Sequence, residues 1–363
     1  MDIHSNFYIY KYLIKHIRYL IFPLLLVVIV AGGCSSYVKT FYELPVEFRF
    51  TEKRIELIKT YSPYMKDKKF FLDPGHGGKD RSNIGYMGKA VEADINLKVA
   101  LALRLFILEA GGKVELSRMM DTTVDLKDRC AMANRCGADF FISIHHNAHS
   151  EINDTWTNYT STYYHAKESD YEFEPCQKDL AKYIQRDLAY AMRNSGGLGS
   201  FDGTYSDYNI YPGKGFSVLR LTKIPAVLVE CGFTTSDYES ERLVTDEFNN
   251  VEAWGIFRGI CRYLANGIPQ IQFINTAPVT SNGNLKIIFG IKDSSGIDQN
   301  SIKIYVDSLA FKSFNFNSKD KTLSVDYPTA NHGAHIIRII VANVKGNYAF
   351  PFYYNIFVEN KTD

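Results

Sequence analysis

Lys69-Phe70-Phe71-Leu72-Asp73-Pro74-Gly75-His76-Gly77-Gly78 opens an alternation of strands and helices. An apolar run stops at Asp-Pro-Gly, as a strand does when it runs into a loop. Next, Ala93–Ala110 carries Ile95, Val99, Ala102, Leu103, Phe106, Ile107 and Ala110 at helical spacing, and Gly111-Gly112 ends the helix. The alternation continues. Val114–Leu116 reads as a strand, Leu126–Arg135 as a helix, Phe140–Ile144 as a strand and Tyr159–Tyr164 as a β-branched and aromatic strand. Pro175 opens a helix to about Arg193, Ala226–Glu230 is an apolar strand, and Asn250–Leu264 is a last helix. Strands alternating with helices predict an α/β domain over residues 69–267, a central mixed, mostly parallel sheet flanked by helices.

On the carboxyl side the text changes after Gly267. Pro269 and Pro278 bracket a linker, residues 268–279. Leu285–Phe289, Ser301–Val306, Thr322–Asp326, His335–Val341 and Phe352–Val358 are strand-like, separated by turn sequences such as Asn331-His332-Gly333. They predict a small all-β sandwich over residues 280–363. On the amino side, residues 35–68 form a polar and aromatic spacer with one helical stretch, Glu52–Thr60, packed on the next domain.

Residues 1–34 read as an export signal. Lys11, Lys15, His16 and Arg18 precede the uncharged run Tyr19–Gly33, which is shorter than the ~20 residues of a membrane-spanning helix. Small residues followed at once by Cys34 resemble a bacterial lipobox, whose cysteine is lipidated. Ala31 departs from the usual Leu or Val, and Ser35 resembles an outer-membrane address. The resemblance implies a periplasmic protein held by a lipid anchor at Cys34, with an uncleaved anchor as the alternative. Either way the rest of the chain lies outside the cytoplasm.

The 363 residues are 46% hydrophobic and 22% charged, which excludes wholesale disorder. Lys+Arg 41 against Asp+Glu 40 leaves no basic excess for nucleic acid. Of six cysteines, five remain if Cys34 carries lipid, and no CxxC or zinc-ribbon spacing links them. Buried free thiols are the expectation.

The chemistry-bearing residues cluster at strand ends. His76 follows the first strand, His145 ends the strand Phe141-Ile142-Ser143-Ile144-His145, and Glu230 ends Val227-Leu228-Val229-Glu230. Glu92 opens the first long helix. In open α/β sheets, sites form outside the carboxyl ends of strands, so these residues can converge. Two imidazoles and a carboxylate with one open position are the donor set of a catalytic zinc site. A second carboxylate nearby suits hydrolysis of an amide. The glycines after His76 are expected to allow close backbone approach at the metal. Taken singly, each of these residues is as readily structural.

Phe71-Leu72-Asp73-Pro74-Gly75-His76-Gly77-Gly78-Lys79-Asp80 resembles the opening motif of the zinc-dependent N-acetylmuramoyl-L-alanine amidases of the amidase-3 type. Glu92-Ala93-Asp94-Ile95-Asn96-Leu97 is similar to the second motif. Ser117-Arg118…Asp121 and Arg129…Ala133-Asn134 match the intervening pattern. Ser143-Ile144-His145-His146-Asn147-Ala148 resembles the third, and Pro225 to Phe233 the last. The resemblance implies one Zn²⁺ per chain on His76, Glu92 and His145, Glu230 as the catalytic carboxylate, and Asn147 as a substrate contact. It implies cleavage of the amide between the muramic acid lactyl group and L-Ala of peptidoglycan. Two alternatives stay open: a zinc hydrolase of another peptidoglycan amide or peptide bond, and a catalytically silent wall-binding module. His146 stands where the family has a small residue, as an alternative ligand, a substrate contact or an inert side chain. Strand alternation lets only one of His145 and His146 face the metal, and the motif favours His145. Thr234-Thr235-Ser236 departs from the family's Ser-Asn. The β-sandwich resembles immunoglobulin-like appendages of envelope proteins. A protein activator is a further possible partner. Residues 148–216 border the expected cleft.

Overall fold

The computed structural model describes residues 43–81, 83–151, 153–194, 202–277 and 283–359. Cys34 and the export signal lie outside the described residues. Within Leu44–Asp363, one compact unit, the helices are α1 (Val46–Arg49), α2 (Thr51–Met65), α3 (Glu92–Glu109), α4 (Leu126–Arg135), α5 (Pro175–Met192), α6 (Ser217–Arg220), α7 (Asp237–Leu243) and α8 (Asp246–Ala265). The first sheet holds β1 (Lys69–Pro74), β2 (Lys113–Leu116), β3 (Phe140–Asn147), β4 (Ser161–Tyr164), β5 (Thr204–Ser206) and β6 (Ala226–Phe233), in the order β2-β1-β3-β6-β4-β5.

This sheet is mixed and mostly parallel, as the alternation of strand and helix predicts. β4 runs antiparallel to β6, and the other neighbours are parallel. Both faces are covered, which is why its strands read as continuous apolar runs. One face packs Phe71, Phe141 and Leu228 against Cys130 and Ala133 of α4 and Val218 and Leu219 of α6. The other face lies under α3, α5 and α8, with Tyr263 of α8 edge-on to Phe140 at 6.1 Å. α1 joins this layer: Phe48 meets Trp254 at 6.2 Å, and Arg258 reaches Glu47 at 3.4 Å.

The carboxyl-terminal part is two four-stranded antiparallel sheets, β10-β9-β13-β14 and β11-β12-β8-β7, closed over one core that includes Ile287, Phe289, Val325, Ile304, Ile339 and Ile356. β7 (Gln270–Ala277), β8 (Asn284–Lys292), β9 (Ile297–Val306), β10 (Leu309–Phe311), β11 (Phe314–Asn317), β12 (Thr322–Pro328), β13 (Gly333–Asn343) and β14 (Phe352–Val358) make it up. One boundary needs correction. Residues 270–277, read above as linker, are an edge strand paired with β8. Only Ile271 and Ala277 of that strand are partly buried, so it carries no alternating apolar signal.

The all-β part is mounted on the first domain through polar contacts to α8 and to the entry of α5. Asn343 Nδ2 donates to the carbonyls of Asn266 (3.1 Å) and Gly267 (3.2 Å), and Asn347 Nδ2 to that of Tyr263 (3.0 Å). These carbonyls lie in the last turn of α8 and just beyond it, where helical donors run out. The Tyr348 N–H donates to Asp179 Oδ2 at 2.9 Å, and buried Arg338 pairs with Glu174 at 3.1 Å.

Candidate functional site

β3 and β6 extend past their expected ends, to Asn147 and Phe233, and His145 is the register partner of Glu230. Neighbouring parallel strands therefore carry both side chains to the same face. β1 delivers His76 at its end, and Glu92 stands in the first turn of α3. His76 Nε2 lies 3.1 Å from Glu92 Oε2, and His145 Nδ1 lies 3.0 Å from Glu92 Oε1. The two imidazoles stand nearly perpendicular, centroids 5.0 Å apart. The ligand-type atoms of His76, Glu92 and His145 all fall within 4.8 Å of one another.

Several buried groups build this geometry. Arg118 donates to the carbonyls of Pro74 (2.9 Å) and Gly75 (2.8 Å), and Arg129 to that of His76 (2.8 Å). Arg129 also pairs with buried Asp73 at 2.7 Å. Together they clamp the loop in which His76 takes φ 59°, a strained value for a residue with a Cβ. A Cβ on Gly75 would stand 2.1 Å from the His145 ring, so only glycine leaves room for that imidazole. Gly77 and Gly78 are needed for a second reason. Cβ atoms there would meet the backbone of Thr122 at 2.6 Å and Thr123 at 2.4 Å, so these glycines admit the neighbouring loop.

Electrostatics follow from the convergence. Burial raises the Glu92 pKa, but hydrogen bonds from His145 and His76 outweigh it and hold the carboxyl well below its usual range. The Glu92 partnership raises His76 to about 9 against the opposing effect of burial, with help from Asp80, whose Oδ2 is 2.8 Å from Nδ1. Glu230 is pushed well up, first by burial and then by the charge of Glu92. Its Oε2 is buried without a hydrogen-bond partner among the described residues.

The four residues line a cleft of about 550 Å³. Asn147 borders it, while its carbonyl accepts the Thr234 N–H at 2.8 Å. Tyr211, Lys214 and Phe216, from the segment expected to border the cleft, line its wall with Arg220. Asn83 escaped the sequence reading. Its Nδ2 donates to Glu92 Oε2 at 2.5 Å, and no motif marks an asparagine in an irregular loop. His146 is buried beside the cleft wall, and both its ring nitrogens are engaged, Nδ1 2.7 Å from Asn96 Oδ1 and Nε2 2.8 Å from Glu252 Oε1. Cys130, Cys176, Cys231 and Cys261 are buried free thiols, and Cys136 is partly exposed.

A mixed α/β sheet with two imidazoles and a carboxylate at its strand ends, and a second carboxylate opening a helix, defines a hydrolase-type site. The chain belongs to the N-acetylmuramoyl-L-alanine amidase family, which matches residues 70–262, and its enzyme class and peptidoglycan substrate follow from that membership. It is 29% identical over 242 residues to the germination-specific N-acetylmuramoyl-L-alanine amidase of Bacillus subtilis, across 63% of this chain and 93% of that protein. It is 29% identical over 245 residues to the N-acetylmuramoyl-L-alanine amidase CwlM of Bacillus licheniformis, across 66% of this chain and 86% of that one. Among solved structures, it is similar to an N-acetylmuramoyl-L-alanine amidase from Clostridium difficile 630, with 30% identity, a TM-score of 0.47, and coverage of 55% of this chain and 98% of that chain.

Proposed function

We propose that this amidase is a zinc enzyme that cleaves the lactyl–L-Ala amide of peptidoglycan from outside the cytoplasm, anchored through a lipidated Cys34. The observation that carries the zinc reading is the convergence of His76, Glu92 and His145 beside the partnerless Glu230 Oε2. The donor set suits zinc, and its three residues leave one coordination position open. When bound, zinc would lower the pKa of an attacking water and polarise the scissile carbonyl. His76, Glu92 and His145 are the residues to hold it. Asp80 against His76 Nδ1 leaves Nε2 facing the site, in the way a carboxylate orients a ligating imidazole. Glu230 takes the proton of the attacking water and returns it to the leaving L-Ala amine. Burial around Glu230 excludes bulk water as a competing proton acceptor, and its register with His145 keeps the carboxylate beside the reacting centre.

The test is digestion of purified sacculi by residues 35–363, with mass analysis of products and metal analysis of the protein. Intact L-Ala-started stem peptides and one zinc per chain are expected. Release of shorter peptides would establish cleavage of another bond, and a metal-free protein with full turnover would overturn the zinc reading.

A further inference from the structure

Beneath the cleft lies a continuous buried polar chain in which the donor directions can be assigned at every link but the one between His146 and Glu252. Asn96 Nδ2 donates to two acceptor-only atoms, the Gly75 carbonyl and Glu92 Oε1, each at 3.2 Å. Its amide is thereby oriented, and Oδ1 must accept. His146 Nδ1 is 2.7 Å from that Oδ1, so Nδ1 carries a proton and donates it. The other ring nitrogen, Nε2, shares one proton with Glu252 Oε1 at 2.8 Å. Glu252 Oε2 in turn accepts from Asn249 Nδ2 at 3.1 Å, and that amide also donates to the Leu243 carbonyl at 2.8 Å. The chain thus runs from α8 through β3 to α3 and ends on Glu92, whose Oε1 also accepts the His146 N–H at 3.1 Å. His146, Asn96 and Glu252 are all at most 1% exposed.

We infer that His146 and Glu252 are positioning residues for Glu92, acting through Asn96 to hold its carboxylate in the orientation the metal needs. The inference rests on the zinc reading above. It assigns a role to the histidine that departs from the family pattern, and the role is neither ligand nor substrate contact. Three features favour it. Strand alternation turns His146 to the face opposite His145. The imidazole spans the distance between α3 and α8 with a hydrogen-bonding nitrogen at each end. Outer partners that orient a ligating carboxylate set metal affinity as well as geometry.

His146, Cys231 and Glu252 also lie close enough to suggest a second metal site. All three residues of that grouping are buried, unlike the cleft-lining His76 and His145, and burial pushes the Cys231 thiol well up, away from the thiolate a metal takes.

The experiment measures zinc affinity by chelator competition on folded protein, alongside thermal melting of the metal-free form. His146→Leu with Glu252→Met removes both members of that hydrogen-bonded pair together, so neither is left facing an apolar partner, and only Asn96 Oδ1 loses its donor. Its zinc affinity should fall roughly 10–100-fold. His146→Asn with Glu252→Met restores a donor near the Nδ1 position and should recover most of that loss. A purely structural role would lower the melting temperature of both variants and leave the affinity of the folded fraction unchanged. If the Leu/Met variant does not fold, Asn96→Ala cuts the same chain nearer the site and must weaken zinc by a comparable factor. Wild-type affinity in the Leu/Met variant, no recovery in the Asn/Met variant, undiminished affinity in Asn96→Ala, or a second zinc bound by wild type would each overturn the inference. Wild-type protein that binds no zinc at all would instead sink the ligand reading.

Discussion

Glu230 illustrates how much one carboxylate depends on its surroundings. Burial and the Glu92 charge both favour its protonated form in the metal-free site. As a general base it must be ionised, so its basicity is tied to the state of the three residues beside it. Glu230→Gln keeps shape and hydrogen-bonding capacity but cannot take a proton. We expect this variant to fold and retain zinc while kcat falls at least ~100-fold. Loss of zinc in Glu230→Gln, seen by metal analysis, would make Glu230 a ligand. Near wild-type turnover of muropeptides would refute its role as base.

At the scale of elements, the site depends on how closely helices approach the sheet and one another. α8 crosses α5 where glycines remove the side-chain barrier. A Cβ on Gly259 would stand 2.5 Å from the Ile184 Cα and 2.7 Å from the Tyr183 carbonyl oxygen, both rigid backbone atoms. Gly259→Ala therefore has to push the helices apart, and denaturant unfolding should show a loss of about 1–3 kcal/mol. Because Glu252 is carried on the same helix, zinc affinity should weaken as well. An unchanged unfolding midpoint would mean the helices separate without cost.

Across the whole molecule, the contacts between the two domains titrate. Burial raises Asp179 to about 6, opposed by the Tyr348 N–H from the β-sandwich and by Lys182 and Lys178. The folded state thus binds more protons than the unfolded chain between the ordinary carboxylate range and about 6. Stability from this group is fully present at low pH and is lost as pH rises through that window. Asp179→Asn retains an acceptor for the Tyr348 N–H and removes the titration. Its melting temperature should exceed wild type by at least ~2 °C at neutral pH, with the difference vanishing in acid. A constant difference at every pH would exclude Asp179 as the source. For location, Cys34→Ser should shift the protein from the membrane to the soluble or uncleaved fraction, since anchoring by acyl chains is lost with the thiol. Unaltered fractionation would exclude lipidation at Cys34.

The layered α/β architecture and the candidate site were legible in the amino-acid sequence. Apolar periodicity is a local property, and the helical spacing of Ile95, Val99, Leu103 and Phe106 or the run Ala226–Val229 can be read without knowing any neighbour. A strand end is announced by Pro and Gly, which located His76, and Glu92 was located by the helix it opens and by its resemblance to the family's second motif, before their 3.1 Å approach was known. Only the tertiary structure decided what the buried polar side chains do. Whether His146 serves as ligand or as tether depends on Asn96 and Glu252, which come from helices far away in sequence. The clamps of Arg118 and Arg129 end on backbone carbonyls, which have no sequence signature at all. The strand at residues 270–277 was hidden for the same reason: an exposed edge is held by main-chain pairing, and main-chain hydrogen bonds leave almost no trace in the side-chain pattern.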